Sequence, residues 1–360
     1  MRRVSFRSIV TTILPLAISA AAQSAVAQSA AAQSPAAQSA AAQPPPPNFH
    51  LPPEAAGIDG IVHALLDVFN QADVVALGEA HRRKLDSDLR IALVRDPAFA
   101  KIVHSIVVEF ASTTEQPLLD RYIRGENVSS VQLAQVWRTT TQAPNGIWDD
   151  PMYRAFFAAV RDVNSKLPPG ARIRVLGGDP GPGDNRGRET AAVAVLKEQV
   201  LHHHSKALVI YGAAHFYRNA PKDYWASMGQ DVGIARMLEM DYPGRTLAVI
   251  PVGFPPRLPP GAALPVDPDY RKFDRALKTR QRPVLVPLDR LPFRDFTAEE
   301  FLGGGVFNCR GPGGCVSMFK GSNLTLGLHL RGVQPRRQLT SPKAPAVMPG
   351  ANASSNPAGN

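Results

Sequence analysis

The sequence predicts an α/β fold: a mostly parallel β-sheet covered by helices on both faces, with an active cleft at the carboxyl ends of the strands. Three observations predict it. Short apolar runs alternate with segments of helical spacing from residue 58 onward. The runs are continuously apolar, the pattern of strands buried on both sides. Several end in glycine and an ionisable residue, at the sheet edge where such folds place their ligands.

In chain order, residues 58–69 put Ile61, Leu65, Val68 and Phe69 at helical spacing. Residues 74–77, Val-Val-Ala-Leu, read as a short buried strand, after which Gly78 releases the backbone for Glu79 and His81. If the backbone stays extended through Ala80, Glu79 and His81 point to one side with Cα atoms roughly 6.5 Å apart. Residues 86–94 read as a helix ended by Asp96-Pro97, and 98–103 add another turn or two. A second strand covers 105–110. Helical spacing covers 116–125 and 131–138, with Gly125-Glu126-Asn127 as the break. Pro144-Asn145-Gly146 is a turn, and Asp150-Pro151 caps a helix running to Leu167. Residues 173–176 and 207–211 form the third and fourth strands around a helix at 189–201. Residues 245–252 and 282–287 complete the sheet, and the Pro-rich chain past Phe254 carries no assignment.

Both ends look dispensable for folding. Residues 1–27 read as a secretory signal peptide: Arg2, Arg3 and Arg7, an apolar run from Ile9 to Ala22, then Ala25-Val26-Ala27 as the cleavage signal. A periplasmic or secreted location follows. Residues 28–53 are an Ala/Gln/Ser/Pro linker too poor in large apolar residues to fold, 54–333 a single α/β domain, and 334–360 a disordered tail. No later segment is long and apolar enough to cross a bilayer. The net charge of +10 becomes +10 − 3 = +7 once the three leader arginines are removed. The basic patch Arg271, Lys272, Arg275, Lys278, Arg280 and Arg282 lacks the aromatic interleaving of a nucleic-acid surface and reads as a solvated helix face. The two cysteines, Cys309 and Cys315, should close a small disulfide loop in an oxidising compartment.

The strand endings carry the chemistry. They are Leu77-Gly78-Glu79-Ala80-His81, Val108-Glu109-Phe110, Leu176-Gly177-Gly178-Asp179-Pro180 and Tyr211-Gly212-Ala213-Ala214-His215. Parallel strands would bring Glu79, His81, Glu109, Asp179 and His215 to one crevice. Two chemistries suit the set. Glu79, His81, Glu109 and His215 could hold a divalent metal that polarises a carbonyl and lowers the pKa of bound water. Alternatively His81 acts as a general base on water, Glu79 or Glu109 orients it, and His215 steadies the oxyanion. Crowding should raise the pKa of one carboxylate. G-x-S-x-G is absent, and Pro180 and Pro182 spoil 181–187 as a dinucleotide loop, leaving Arg186 and Arg188 as candidate anion contacts. His202-His203-His204 precedes the fourth strand, at the edge away from the crevice, and reads as a solvated helix end. Trp148, Tyr153, Phe156 and Phe157 read as core, and Tyr217 and Arg218 as either pocket lining or solvent-facing.

The four endings resemble a superfamily containing erythromycin esterase-like hydrolases, the TIKI metalloproteases and the ChaN-like haem-binding proteins. The resemblance runs roughly from Val74 to Pro251 and implies an α/β fold with a cleft built from Glu79, His81, Glu109 and His215. It also implies one of three activities: ester hydrolysis without an essential metal, metal-dependent peptide cleavage, or haem uptake. Tyr-Gly-Ala-Ala-His is nearer to the TIKI and ChaN branches, whereas Arg82-Arg83-Lys84 departs from the ChaN-like pattern. The expectation is therefore an exported hydrolase of an ester or amide in a small molecule or peptide. The alternative is a binding protein for haem or a metal complex, with His215, His81 or Tyr217 as ligand.

Overall fold

The computed structural model describes residues 50–218, 232–252, 276–277, 283–289, 291–293 and 325–329. Among these residues, eight strands form one sheet in the order β1-β7-β8-β6-β2-β5-β3-β4. They are β1 (Ala55–Ala56), β2 (Val74–Glu79), β3 (Ser105–Ser112), β4 (Arg174–Asp179), β5 (Ala207–Gly212), β6 (Thr246–Val252), β7 (Val284–Pro287) and β8 (Thr325–His329). Every pairing from β8 to β4 is parallel, and at the far edge β7 alone runs the other way, paired antiparallel with both β8 and β1. The α/β class and the helix-covered parallel sheet are as the apolar runs predict.

Alternate strand residues divide the core. Val75, Leu77, Ile106, Val108, Phe110 and Ile210 pack under α1 (Gly57–Val68), α2 (Lys84–Arg95), α3 (Phe99–Ile102), α4 (Gln116–Ile123), α5 (Ser130–Arg138) and α6 (Pro151–Ser165). Val74, Ala76, Val107 and Val209 face α7 (Arg188–Gln199) and α8 (Ile234–Asp241) on the other side. Local chemistry sets the helix starts. Asp150 accepts the Met152 amide ahead of Pro151, and Ser129 with Gln132 makes a capping box that starts α5 one residue before the apolar spacing does.

Gly78 corrects one expectation. It does not release the chain but continues β2, paired with Tyr211. A Cβ there would meet the Val249 carbonyl oxygen at 2.8 Å and Pro251 Cδ at 3.0 Å, so glycine is needed for the close approach of β6. The strand consequently carries Glu79 as its last residue. The helix α8 and strand β8 carry no assignment in the sequence reading, although Gly233 stands directly before α8 as its N-cap. The cysteine pair, the basic patch, the leader, all but the last residues of the linker (50–53), and the tail lie outside the described residues. Among those that are described, no helix is long and apolar enough to cross a membrane.

The outer edge of β4 is closed by a side chain. Gln116 Nε2 donates to the Val175 carbonyl at 2.8 Å, and its Oε1 accepts from the Gly177 amide at 2.8 Å, mimicking a neighbouring strand. Gln116→Ala should therefore cost about 1–3 kcal/mol, since it leaves both backbone groups unpaired. Urea unfolding would measure that loss, and light scattering should show the variant associating more readily than the parent. Unchanged values in both would remove this role from Gln116.

Candidate functional site

Four adjacent parallel strands, β2, β5, β3 and β4, deliver their carboxyl ends to one place. Glu79 closes β2, Glu109 lies within β3, Asp179 closes β4, and His215 sits on the 3-10 turn Ala213–Phe216 that follows β5. The expected convergence is present, arranged as two carboxylate–imidazole pairs on either side of Glu109.

In the first pair, Glu79 Oε1 lies 2.8 Å from His81 Nδ1 and also accepts from the Tyr153 hydroxyl at 2.9 Å. Its Oε2 is bonded to Arg90 of α2. Burial pushes the Glu79 pKa up, but the Arg90 charge and the His81 hydrogen bond outweigh it and hold the carboxyl at about 2. His81 Nε2 points towards Glu109 Oε2, 4.0 Å away. The imidazole and the Trp148 ring stand nearly perpendicular, with centroids 4.8 Å apart. A Cβ at position 212 would touch His81 Cε1 and Nε2 at 2.9 Å each, so Gly212 makes room for the ring. Tyr153 and Trp148 are core residues, as their spacing predicts, yet both also touch the site.

Glu109 is fully buried. Its Oε2 accepts from the Gly212 amide at 2.7 Å and its Oε1 from Gln142 Nε2 at 2.9 Å, and it pairs with Arg188. The second pair is His215 Nδ1 with Glu189 Oε1, 2.6 Å apart. His215 Nε2 lies 3.3 Å from both Glu109 Oε1 and the Arg188 guanidinium. Burial pushes the His215 pKa down. Arg188 also reaches Asp179 Oδ2 at 3.3 Å, so one guanidinium ties together Glu109, Asp179 and His215.

Asp179 accepts from the Thr141 amide at 2.7 Å and its hydroxyl at 2.8 Å. Burial nevertheless raises its pKa to about 6, against those hydrogen bonds. This is the elevated acid that carboxylate crowding suggests, but burial is the first cause and the nearby Glu189 charge a smaller one. The sign follows. A folded pKa above the ordinary 3.8 favours the folded state fully below pH 4, and that contribution is lost as pH rises through about 6. His215 acts oppositely, so the raw curve mixes the two. Subtracting the Asp179→Asn stability curve from that of the parent isolates Asp179, and the difference should fall between pH 4 and 6 and then level off. A flat difference in urea midpoints would contradict this.

As its hydrogen bonds stand, the donor set expected at Glu79, His81, Glu109 and His215 does not suit a divalent metal. The Glu79 oxygens are engaged by Arg90, Tyr153 and His81, those of Glu109 by Arg188, Gln142 and the Gly212 amide, and His215 Nδ1 by Glu189. Guanidinium groups stand where a cation would go, and no such cluster is formed among the described residues. As haem ligands, His215 and Tyr217 fit poorly. His215 is 3% exposed with both ring nitrogens engaged, and Tyr217 is buried with Phe216, Ile234 and Leu238. Burial also pushes the Tyr217 phenol further from the phenolate form. His81, with its side chain 15% exposed, is the one of the three that reaches the surface.

Of the candidate anion contacts, Arg188 belongs to the site, whereas Arg186 is exposed and pairs with Asp184. Arg218 is occupied by Glu239 and the Thr246 carbonyl. His202, His203 and His204 are exposed, as expected. Sequence reading missed Arg90, Gln142, Thr141 and Glu189. The one available signal was Arg188-Glu189 opening a helix directly after the third strand-end loop, an acid in a first helical turn being usually read as a dipole partner.

No curated protein matches. A Bacillus cereus protein of solved structure shares 12% identity over 76% of this chain and 92% of its own, with a TM-score of 0.50, which shows a common fold. The type III effector HopBA1 shares 15% identity over 61% of this chain and 93% of its own, with a TM-score of 0.39. ChaN of Campylobacter jejuni, described for cofacial heme binding, shares 15% identity over 54% of this chain and 85% of its own, with a TM-score of 0.34. Residues 65–169, which include Glu79, His81 and Glu109, match the family model described as Haem-binding uptake, Tiki superfamily, ChaN.

Proposed function

We propose that this chain is an exported hydrolase that cleaves an ester or amide bond with water activated by His81. The observation that carries the reading is the 2.8 Å contact between Glu79 Oε1 and His81 Nδ1, which turns Nε2 towards Glu109 at 4.0 Å. A carboxylate held near pKa 2 accepts from Nδ1–H and leaves the Nε2 lone pair for a proton. A gap of 4.0 Å admits a water lying off the line between the two groups.

The step balances without a further reactant. Water loses a proton to His81 Nε2 as its oxygen bonds to the carbonyl carbon, and the carbonyl electron pair moves onto oxygen. Arg188 supplies positive charge for that oxyanion. Collapse breaks the carbon–oxygen or carbon–nitrogen bond, and the leaving group takes the proton from His81. Turnover of a panel of p-nitrophenyl esters and a peptide library tests this. Loss of activity in both Glu79→Gln and His81→Ala, with the fold intact, supports the reading, and retention in either overturns it.

A second reading, binding of haem or a metal complex, is favoured by the haem-uptake description of the matched family model. Here His81 is the residue to carry it. Addition of haemin to the purified protein should then give a Soret band that His81→Ala removes.

A further inference from the structure

Glu189 has no part in the proposed step, yet it is 1% exposed and bonded to a site histidine. It lies in the first turn of a twelve-residue helix, where the helix dipole favours the ionised carboxylate. Its Oε1 lies 2.6 Å from His215 Nδ1, and its buried Oε2 has no hydrogen-bond partner among the described residues. A carboxylate can only accept. The proton between the two groups therefore belongs to Nδ1, and the neutral ring must present a lone pair at Nε2. Arg188 Nη2 lies 3.3 Å from that nitrogen and can only donate, and it also pairs with Glu109 Oε1, the other group 3.3 Å from Nε2, so one donor serves both acceptors.

We infer that Glu189 is a positioning residue: by fixing His215 as its Nδ1–H tautomer, it makes Nε2 an acceptor that aims the Arg188 guanidinium at the reacting oxygen. The inference rests on the hydrolytic reading for its consequence, but its geometry is independent of any substrate. With the opposite tautomer, an Nε2–H would face the Arg188 N–H, donor against donor, and would donate to Glu109 Oε1 instead, releasing Arg188 from the ring. Low basicity of the buried imidazole agrees with a neutral ring. The arrangement repeats the logic of Glu79 and His81 on the other side of Glu109, with a different output. One pair offers a base, the other orients a cation.

Glu189→Gln is the informative variant, because the amide keeps size and neutral hydrogen bonding but can flip and donate to Nδ1. An amide in the place of a histidine-orienting carboxylate is known to trap the wrong tautomer. Nitrogen-15 NMR of the imidazoles, with His215 assigned by His215→Gln, should show Nδ1–H in the unmodified protein and Nε2–H in Glu189→Gln. On the ester substrate, kcat should fall about 10-fold or more, up to the ~10²-fold scale of a lost oxyanion donor, with KM little changed. An Nε2–H tautomer in the unmodified protein overturns the inference whether or not the variant folds. So does Glu189→Gln that keeps Nδ1–H and full kcat. If the unmodified protein hydrolyses nothing, the tautomer measurement still decides the role of Glu189, while the hydrolytic reading fails by itself.

Discussion

Replacing Arg90 by methionine should destabilise the protein by about 3–5 kcal/mol, the cost of leaving one partner of a buried ion pair uncompensated. Glu79 and Arg90 are 5% and 1% exposed, so water cannot take over the lost interaction. The guanidinium also lies over the rings of Phe110, Tyr153 and Phe156, with centroids 5.0, 4.9 and 5.5 Å away. Methionine retains much of that packing, which isolates the charge. Adding Glu79→Gln to Arg90→Met should recover a large part of the loss, since neither side then carries a buried charge. Urea midpoints of the two single variants and the double variant form the test, and additive losses would refute the coupling. The pH dependence gives a second check. With its folded pKa held at about 2 against an ordinary 4.5, Glu79 contributes stability that is complete above pH 4.5 and lost as pH falls towards 2. In Arg90→Met that acid limb should vanish.

The second large effect is on rate. Removing the imidazole in His81→Ala should lower kcat by about 10²-fold to 10⁴-fold, the usual worth of a positioned general base. Glu79→Gln should approach the same loss, because an amide no longer dictates which nitrogen of His81 carries the proton. The double variant should be barely worse than either single one, as residues acting in one unit are not additive. Gly212→Ala reaches the same ring from another side: a methyl 2.9 Å from Cε1 and Nε2 displaces the imidazole without changing any ionisable group. If His81→Ala retains full turnover with folding confirmed by circular dichroism, the base must be sought elsewhere.

Much of the fold was legible because it depends on short stretches of chain. Four apolar residues at 74–77 and their counterparts in β3, β4 and β5 identify strands buried on both faces, and Asp150-Pro151 announces α6. Glycine was harder to read. Gly78 looks like a turn residue in sequence but serves the approach of β6, a fact about a neighbour more than 150 positions away along the chain. The convergence of Glu79, His81, Glu109, Asp179 and His215 was also legible, since parallel strands leave little choice about where their ends go.

By itself, then, the sequence determined the parallel sheet and the set of groups at its carboxyl edge, because apolar runs and strand-end residues are local properties. The tertiary structure alone decided how those groups are charged and what they can bind. Arg90 fixes Glu79 from 11 residues away, Gln142 and Thr141 come from a helix connection 33 and 38 residues from Glu109 and Asp179, and Glu189 reaches His215 across 26. A carboxylate in a sequence looks the same whether it will meet a guanidinium, an imidazole or a metal ion. Only packing selects the partner, and the partner sets the chemistry.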